Sequence, residues 1–331
     1  MLGFLRLVRI QNLIILAFTM FAVRYGILEA LWKHGIGLLL EQGFYPQGMR
    51  LHMGFIPFLL LVGSVILIAA GGYVINDYFD TKTDRINKPD KVFVGRIITR
   101  RRAILLHITL STLGILLAFI PAWQYHNFKL MVIPVLSSLL LWVYSAKFKK
   151  MPLSGNLIIA LLAGLSPILV AWYEFAAGVN LSLQIMNVNA AGSGSRLLSL
   201  GMIIISLYAV FSFLITLIRE IIKDIEDMDG DEADGGQTLP IVMGENLSKF
   251  AALGLIICCI VITGVLMRLL WQQDMSILFW YVSVGLMLPW IILGVILWNA
   301  QDKQAYGRAS LLCKLIMISG LISMFVFKWS F

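Results

Sequence analysis

The chain has 331 residues, 60% hydrophobic and only 13% charged, with a formal net charge of +8. The positive excess does not mark a nucleic-acid-binding protein, because no soluble stretch is long enough to carry a basic face. Three cysteines without metal or redox spacing and four scattered histidines exclude a disulfide framework and argue against a zinc site.

Apolar runs repeatedly approach the roughly 20 residues that cross a bilayer core. In chain order they predict nine spans, at about 10–31, 54–75, 103–121, 129–145, 155–175, 198–218, 250–270, 277–298 and 311–328. The residue alternation of a membrane barrel is absent, so the fold class is all-α: a polytopic bundle of nine transmembrane helices, one domain over residues 1–331. The first span follows Arg6 and Arg9, is too long for a signal-peptide core and has no clear cleavage site, so it is expected to be retained. Gly71-Gly72 in the second span and Pro167 in the fifth are expected to serve close packing or a kink. Gly192 to Ser195 reads as a flexible outside loop.

The charges gather in the even-numbered connections. Residues Asn76 to Arg102 hold eight Lys or Arg, Lys147, Lys149 and Lys150 follow span four, and Arg219, Lys223 and Lys249 flank the connection after span six. Positive-inside reasoning places these connections and the N-terminus in the cytoplasm. Short connections and the absence of a transit-like N-terminus point to a prokaryotic plasma membrane.

Two acidic clusters share that face and share one spacing, Asp77-x2-Asp80-x3-Asp84 and Asp224-x2-Asp227-x3-Asp231. At about 100° per residue each trio falls in a roughly 60° arc of a helix. Asn76 precedes the first trio, and Glu220 extends the second by a turn. Crowded carboxylates repel unless a cation gathers them, and an all-oxygen set suits Mg2+. Such a site wants a polyanion, whose remaining oxygens Lys88, Lys91, Arg96, Lys147 and Lys149 are placed to neutralise. Because the site is intramembrane, the rest of the substrate should be apolar, and a long isoprenoid diphosphate has that shape. Ionising its allylic C–O bond leaves a carbocation that a dry pocket protects. Tyr78, Phe79, Tyr144, Trp172 and Tyr208 are candidate aromatic neighbours.

Asn76 to Asp84 resembles the NDxxDxxxD motif of the UbiA superfamily of intramembrane prenyltransferases, and Lys223 to Asp231 resembles its second acidic motif. Arg9-x2-Asn12, Tyr144-Ser145-x-Lys147, Gly155-Asn156 and Thr238-Leu239-Pro240 follow in the order that family shows. The resemblance implies a helical bundle with a central cavity, Mg2+ held through Asn76, Asp80, Asp227 and Asp231, and transfer of a prenyl group from its diphosphate to a lipophilic acceptor. It further implies that Asp77, Asp84 and Asp224 complete the metal and diphosphate shell or activate the acceptor. Arg9, Asn12, Tyr144 and Lys147 fall to the diphosphate or prenyl pocket. The runs Asp84 to Pro89 and Lys223 to Asp231 are most similar to the geranylgeranylglycerol-phosphate geranylgeranyltransferase branch, which implies geranylgeranylglyceryl phosphate as acceptor. Two other readings stand beside it: an aromatic acceptor of quinone biosynthesis, and, from another class, a cation transporter. No nucleic-acid partner is expected; membrane lipids are.

Overall fold

A computed structural model describes residues 7–33, 51–81, 92–185 and 191–330. Among them nine helices are long and apolar enough to span a membrane. These are α1 (Ile10–Lys33), α2 (Phe55–Phe79), α3 (Arg100–Gln124), α4 (Phe128–Ala146), α5 (Ser154–Ile185), α6 (Ala191–Glu226), α7 (Glu245–Gln272), α8 (Ser276–Trp298) and α9 (Lys303–Trp329). All nine fall where the hydropathy pattern predicts, and the only β feature among the described residues is an isolated bridge, Val94 to Ile98. The protein is an integral membrane protein.

Three boundaries differ from expectation in informative ways. Helix α2 continues past the apolar run to Phe79 and α6 continues to Glu226. A helix already nucleated by an apolar stretch gains one backbone bond per added residue, so polar residues extend it readily. Both acidic motifs therefore start on rigid helix ends. Gly192 to Ser195, expected as a loop, belongs instead to the first turns of α6; glycine costs a helix only about 1 kcal/mol per residue, which the long run behind it absorbs.

Burial sorts the helices. In α1 and α2, 56% of the apolar window is buried, against 22% in α4 and α7, so the first pair lies more centrally and the second pair turns most of its surface to lipid. Ile257, Val261 and Val265 form one exposed stripe of α7 at four-residue spacing, a hydrocarbon contact in a bilayer. Helices α2 and α3 cross closely through small residues. A Cβ on Gly71 would stand 2.8 Å from Ser111 Oγ, and one on Gly114 2.9 Å from the Ser64 carbonyl oxygen. Pro167 lies inside α5.

Successive spans alternate in direction, so the C-terminal ends of α2, α4 and α6 meet on one face. Contacts between these ends confirm this: Gln237 N–H donates to the Lys150 carbonyl at 2.8 Å, Lys150 Nζ donates to Asp234 Oδ2 at 2.7 Å, and Lys149 pairs with Asp80 at the end of α2. Near the opposite face Arg24 and Glu174, 3% and 0% exposed, form a buried pair at 3.4 Å. Glu174 also accepts from the backbone N–H groups of His52 and Met53, and Arg24 donates to the Met53 carbonyl. This pair ties α1, α5 and the segment before α2 together. Removing one partner of such a pair costs about 3–5 kcal/mol because the other charge stays buried.

Candidate active site

A cavity of about 1150 Å³ opens among α1, α2, α4, α5, α6, α7, α8 and α9 and runs from the acidic face deep into the bundle. Arg9, Asn12, Asn76, Asp77, Asp80, Tyr144, Asp224, Asp227 and Asp231 all line it. Its deeper wall is apolar, with Leu162, Leu207, Leu266, Leu278 and Phe327.

The first motif sits on the last turn of α2, where the Asp80 N–H donates to the Asn76 carbonyl at 2.9 Å. Asn76 and Asp80 are 6% and 7% exposed, and the Asn76 amide donates to Asp80 Oδ2 at 2.6 Å. Turned by half a rotation, that amide presents its oxygen to a cation. Asp77 accepts from Arg9 Nη2 at 3.1 Å. Arg9 itself caps α1 in the left-handed region (φ 51°, ψ 55°), a conformation that costs a non-glycine residue about 1 kcal/mol or more. Its guanidinium lies 5.0 Å from the centre of the Tyr73 ring, and the Tyr73 hydroxyl accepts from Asn12 at 3.2 Å.

The second motif differs from a continuous helical face. Helix α6 stops at Glu226, Asp227 forms the turn, and a short helix, Met228–Ala233, carries Asp231. Gly230 and Asp231 close that turn by donating their N–H groups to the Asp227 carbonyl, each at 3.2 Å. Asp224 is held by the Asn156 amide at 2.8 Å, and Asn156 opens α5 directly after Gly155.

Two of the anticipated cations stand elsewhere. Lys147 and Arg96 are exposed and do not line the cavity, whereas Lys149 reaches in and pairs with Asp80. The cause is a three-residue 3-10 turn, Phe148–Lys150, after α4, which rotates the chain so that the second lysine points inward. Asp84, Lys88 and Lys91 lie outside the described residues. Of the five candidate aromatics, Tyr144 and Tyr208 line the cavity. Tyr78 instead holds Arg100 over its ring at 4.6 Å and meets the edge of Phe79 at 5.0 Å, while Trp172 packs against the core. Sequence reasoning passed over Lys314 as a site residue; it lines the cavity from α9, and its signal was a lone lysine inside an apolar span.

The donor set fits a hard cation shared with a ligand. Among the described residues no three acids converge tightly enough to enclose an ion by themselves. Mg2+ is ordinarily held by one or two carboxylates, waters and substrate phosphates, and the oxygens here come from two rims of one opening. Lys149 on Asp80 marks a place where positive charge is favoured. Burial pulls the Lys149 pKa down, but the Asp80 carboxylate more than offsets this and holds it above the ordinary lysine value. Burial, with help from Asp227, pushes the Asp231 carboxyl up to about 6 against the opposing pull of Lys149.

The family model for UbiA prenyltransferases matches residues 30–318. The chain belongs to that family. It is accordingly a prenyltransferase, which sets aside the transporter reading. The relatives it resembles include a digeranylgeranylglyceryl phosphate synthase of Methanobrevibacter smithii, 31% identical over 273 residues, covering 81% of this chain and 86% of the relative. One of Thermococcus kodakarensis, bearing the same name, is 28% identical over 273 residues and covers 79% and 82%. Solved structures share the fold. One described as a digeranylgeranylglyceryl phosphate synthase superposes with a TM-score of 0.58 at 24% identity, over 98% of this chain and 97% of the other. A UbiA homologue from Archaeoglobus fulgidus bound to DMAPP and Mg2+ gives 0.53 at 17%, over 97% and 99%.

Proposed function

We propose that this UbiA prenyltransferase transfers a geranylgeranyl group from its diphosphate to the hydroxyl of geranylgeranylglyceryl phosphate, with Mg2+ as cofactor and the acidic face in the cytoplasm. The observation that carries the reading is one cavity with both acidic motifs and Lys149 at its mouth and an apolar wall behind them. The names of the relatives support the choice of donor and acceptor, and the ligands named for the Archaeoglobus fulgidus homologue support Mg2+.

Asn76, Asp80, Asp227 and Asp231 would hold the cofactor, which supplies charge neutralisation of the diphosphate when bound. Lys149 and Arg9 neutralise the outer diphosphate oxygens. The allylic C–O bond breaks with its electron pair leaving on diphosphate. The acceptor oxygen then bonds to C1 of the allylic cation, and its proton passes to a carboxylate of the mouth. Asp224, fixed by Asn156, and Asp77, fixed by Arg9, are oriented for that proton. Leu162, Leu207 and Leu266 keep water from the cation.

The test is diphosphate release by purified protein with geranylgeranyl diphosphate and Mg2+, comparing geranylgeranylglyceryl phosphate with an aromatic quinone precursor. A product carrying two geranylgeranyl groups is expected. A prenylated aromatic in its place would move the enzyme to quinone biosynthesis.

A further inference from the structure

Behind its acidic mouth the cavity extends in two directions. Along α2, Asn76, Gly72, Ala69 and Val65 line it at three- and four-residue spacing, so one strip of helix leads from Asp80 into an apolar arm walled by Ile133 of α4 and Leu165 of α5. On the other side Leu266 and Leu270 of α7 and Leu278, Val282 and Leu286 of α8 line the same cavity. Helix α7 packs on α6, α8 packs on α9, and the two pack on each other, so these four helices frame a second arm.

Helix α9 stands between the arms. Its Met324 backs onto α1, where a Cβ on Gly26 would stand 2.7 Å from the Met324 carbonyl oxygen, and its Ser319 hydroxyl donates to the Gly285 carbonyl of α8 at 2.6 Å. Met317, Leu321 and Met324 line the cavity from one face of α9, and Ile316, Gly320 and Ser323 from another, about 100° round the helix. A cavity that meets α9 on two faces continues through the gap between α9 and α6. That gap is spanned by the Tyr208 and Ser323 hydroxyls, 3.1 Å apart, at about 24 Å of helix from Asp224. Gly320 stands just before this bridge. Among the described residues a Cβ on Gly320 would meet nothing within 4 Å, whereas one on Gly71, Gly72 or Gly114 would meet an atom at 2.8, 2.8 or 2.7 Å. Close helix packing explains those three glycines; at Gly320 the missing side chain leaves room in the cavity instead.

We propose that the arm framed by α6, α7, α8 and α9 takes the hydrocarbon chain of the acceptor, that the arm behind Asp80 takes the prenyl chain of the donor, and that Gly320 keeps the acceptor arm open. Joining a chain-bearing donor to a chain-bearing acceptor requires both chains to be housed at once, and the cavity has two arms for them. The assignment of each chain follows the helix faces. The strip of α2 begins at Asn76 and Asp80, which would hold the metal of the diphosphate. Ile215, Phe211 and Ile204 line the cavity from α6 on a face turned about 140–180° from Asp224, away from that head group. This rests on the proposal above that the acceptor is a glycerol-phosphate ether lipid, and it assigns the wall that reads its chain.

The experiment measures kcat/KM for wild type, Gly320→Ala, Gly320→Leu and Gly320→Phe, with geranylgeranylglyceryl phosphate and geranylglyceryl phosphate as acceptors and with geranylgeranyl and geranyl diphosphate as donors. Each methylene denied burial weakens binding about fourfold, so the preference for the longer acceptor is expected to fall in the order Ala, Leu, Phe, reaching about tenfold or more in Gly320→Phe. The preference for the longer donor stays as in wild type. The added side chains enter open space, and each favours a helix over glycine, so the variants are expected to insert normally. A retained preference for the longer acceptor in Gly320→Phe, a fall in the donor preference in its place, or an equal loss with every substrate pair overturns the inference and leaves the proposed reaction standing. Wild type that prenylates an aromatic acceptor and neither glyceryl phosphate lipid removes both.

Discussion

Lys149 on Asp80 shows how the cavity mouth manages crowded acids before any cation arrives: an internal ammonium group takes the place that a divalent ion contests. On the proposed mechanism, Asp80→Asn and Asp227→Asn each remove an anionic oxygen that would hold the ion and the diphosphate. Turnover is expected to fall by about 10²–10³-fold or more, with insertion and thermal stability kept; near-normal turnover of the folded double variant would discard the assignment. The mouth also titrates. Because Asp231 has its carboxyl raised to about 6, the folded metal-free protein binds that proton more tightly than the unfolded chain does. The group's contribution to stability is present at low pH and lost as pH rises through about 6. Mg2+ needs the ionised carboxylate, so its apparent affinity should fall by about tenfold per pH unit below 6, read as Mg2+-dependent thermal stabilisation. A slope unchanged in Asp231→Asn would refute the link. Residue types and motif spacing made most of this mouth legible in the sequence. Lys147 against Lys149 was not, because one short turn decides which lysine points inward and spacing alone does not encode that rotation.

That turn is held by an element-level contact. A Cβ on Gly155 would stand 2.9 Å from the Phe148 carbonyl oxygen, 3.0 Å from Lys149 Cα and 3.1 Å from Tyr144 Cε2. The start of α5 therefore presses on the turn that aims Lys149 and on the ring of Tyr144. Gly155→Val should displace both, lowering turnover by about 10- to 100-fold through misplacement of about an ångström while the protein still inserts. A Cβ on Gly254 of α7 meets nothing within 4 Å, so Gly254→Val should leave activity unchanged; equal loss in both variants would show a general packing defect. Helix positions were readable from hydropathy because each span had to satisfy its backbone internally. Helix ends were not, since extension of α2 and α6 into polar sequence and the break at Asp227 depend on hydrogen bonds that hydropathy does not report.

At the scale of the whole molecule, nine spans put neighbouring connections on alternating faces. The turn at Asp274, between α7 and α8, and the turn at Gln301, between α8 and α9, are both exposed and lie on opposite sides. With the acidic face cytoplasmic, a membrane-impermeant thiol reagent should label Asp274→Cys in intact cells and reach Gln301→Cys only after lysis; the reverse pattern would invert the proposed orientation. The fold class and the order of the spans were legible from the hydropathy pattern, whereas the cavity was not. It is formed by residues distant in sequence, such as Arg9, Asn156 and Lys314, whose convergence follows from packing.

The acidic residues that line the cavity all stand at one end of it, and this has a consequence for the membrane as a sheet. An amphiphile whose head must reach that end arrives from the monolayer whose head groups lie at the same depth, and its product is released there. Synthesis is thereby one-sided. With the proposed glycerol-phosphate lipid as acceptor, the two-chain product of each turnover enters a single monolayer, and a bilayer grown by this enzyme would expand evenly only if lipid crossed to the other monolayer as fast as it was made.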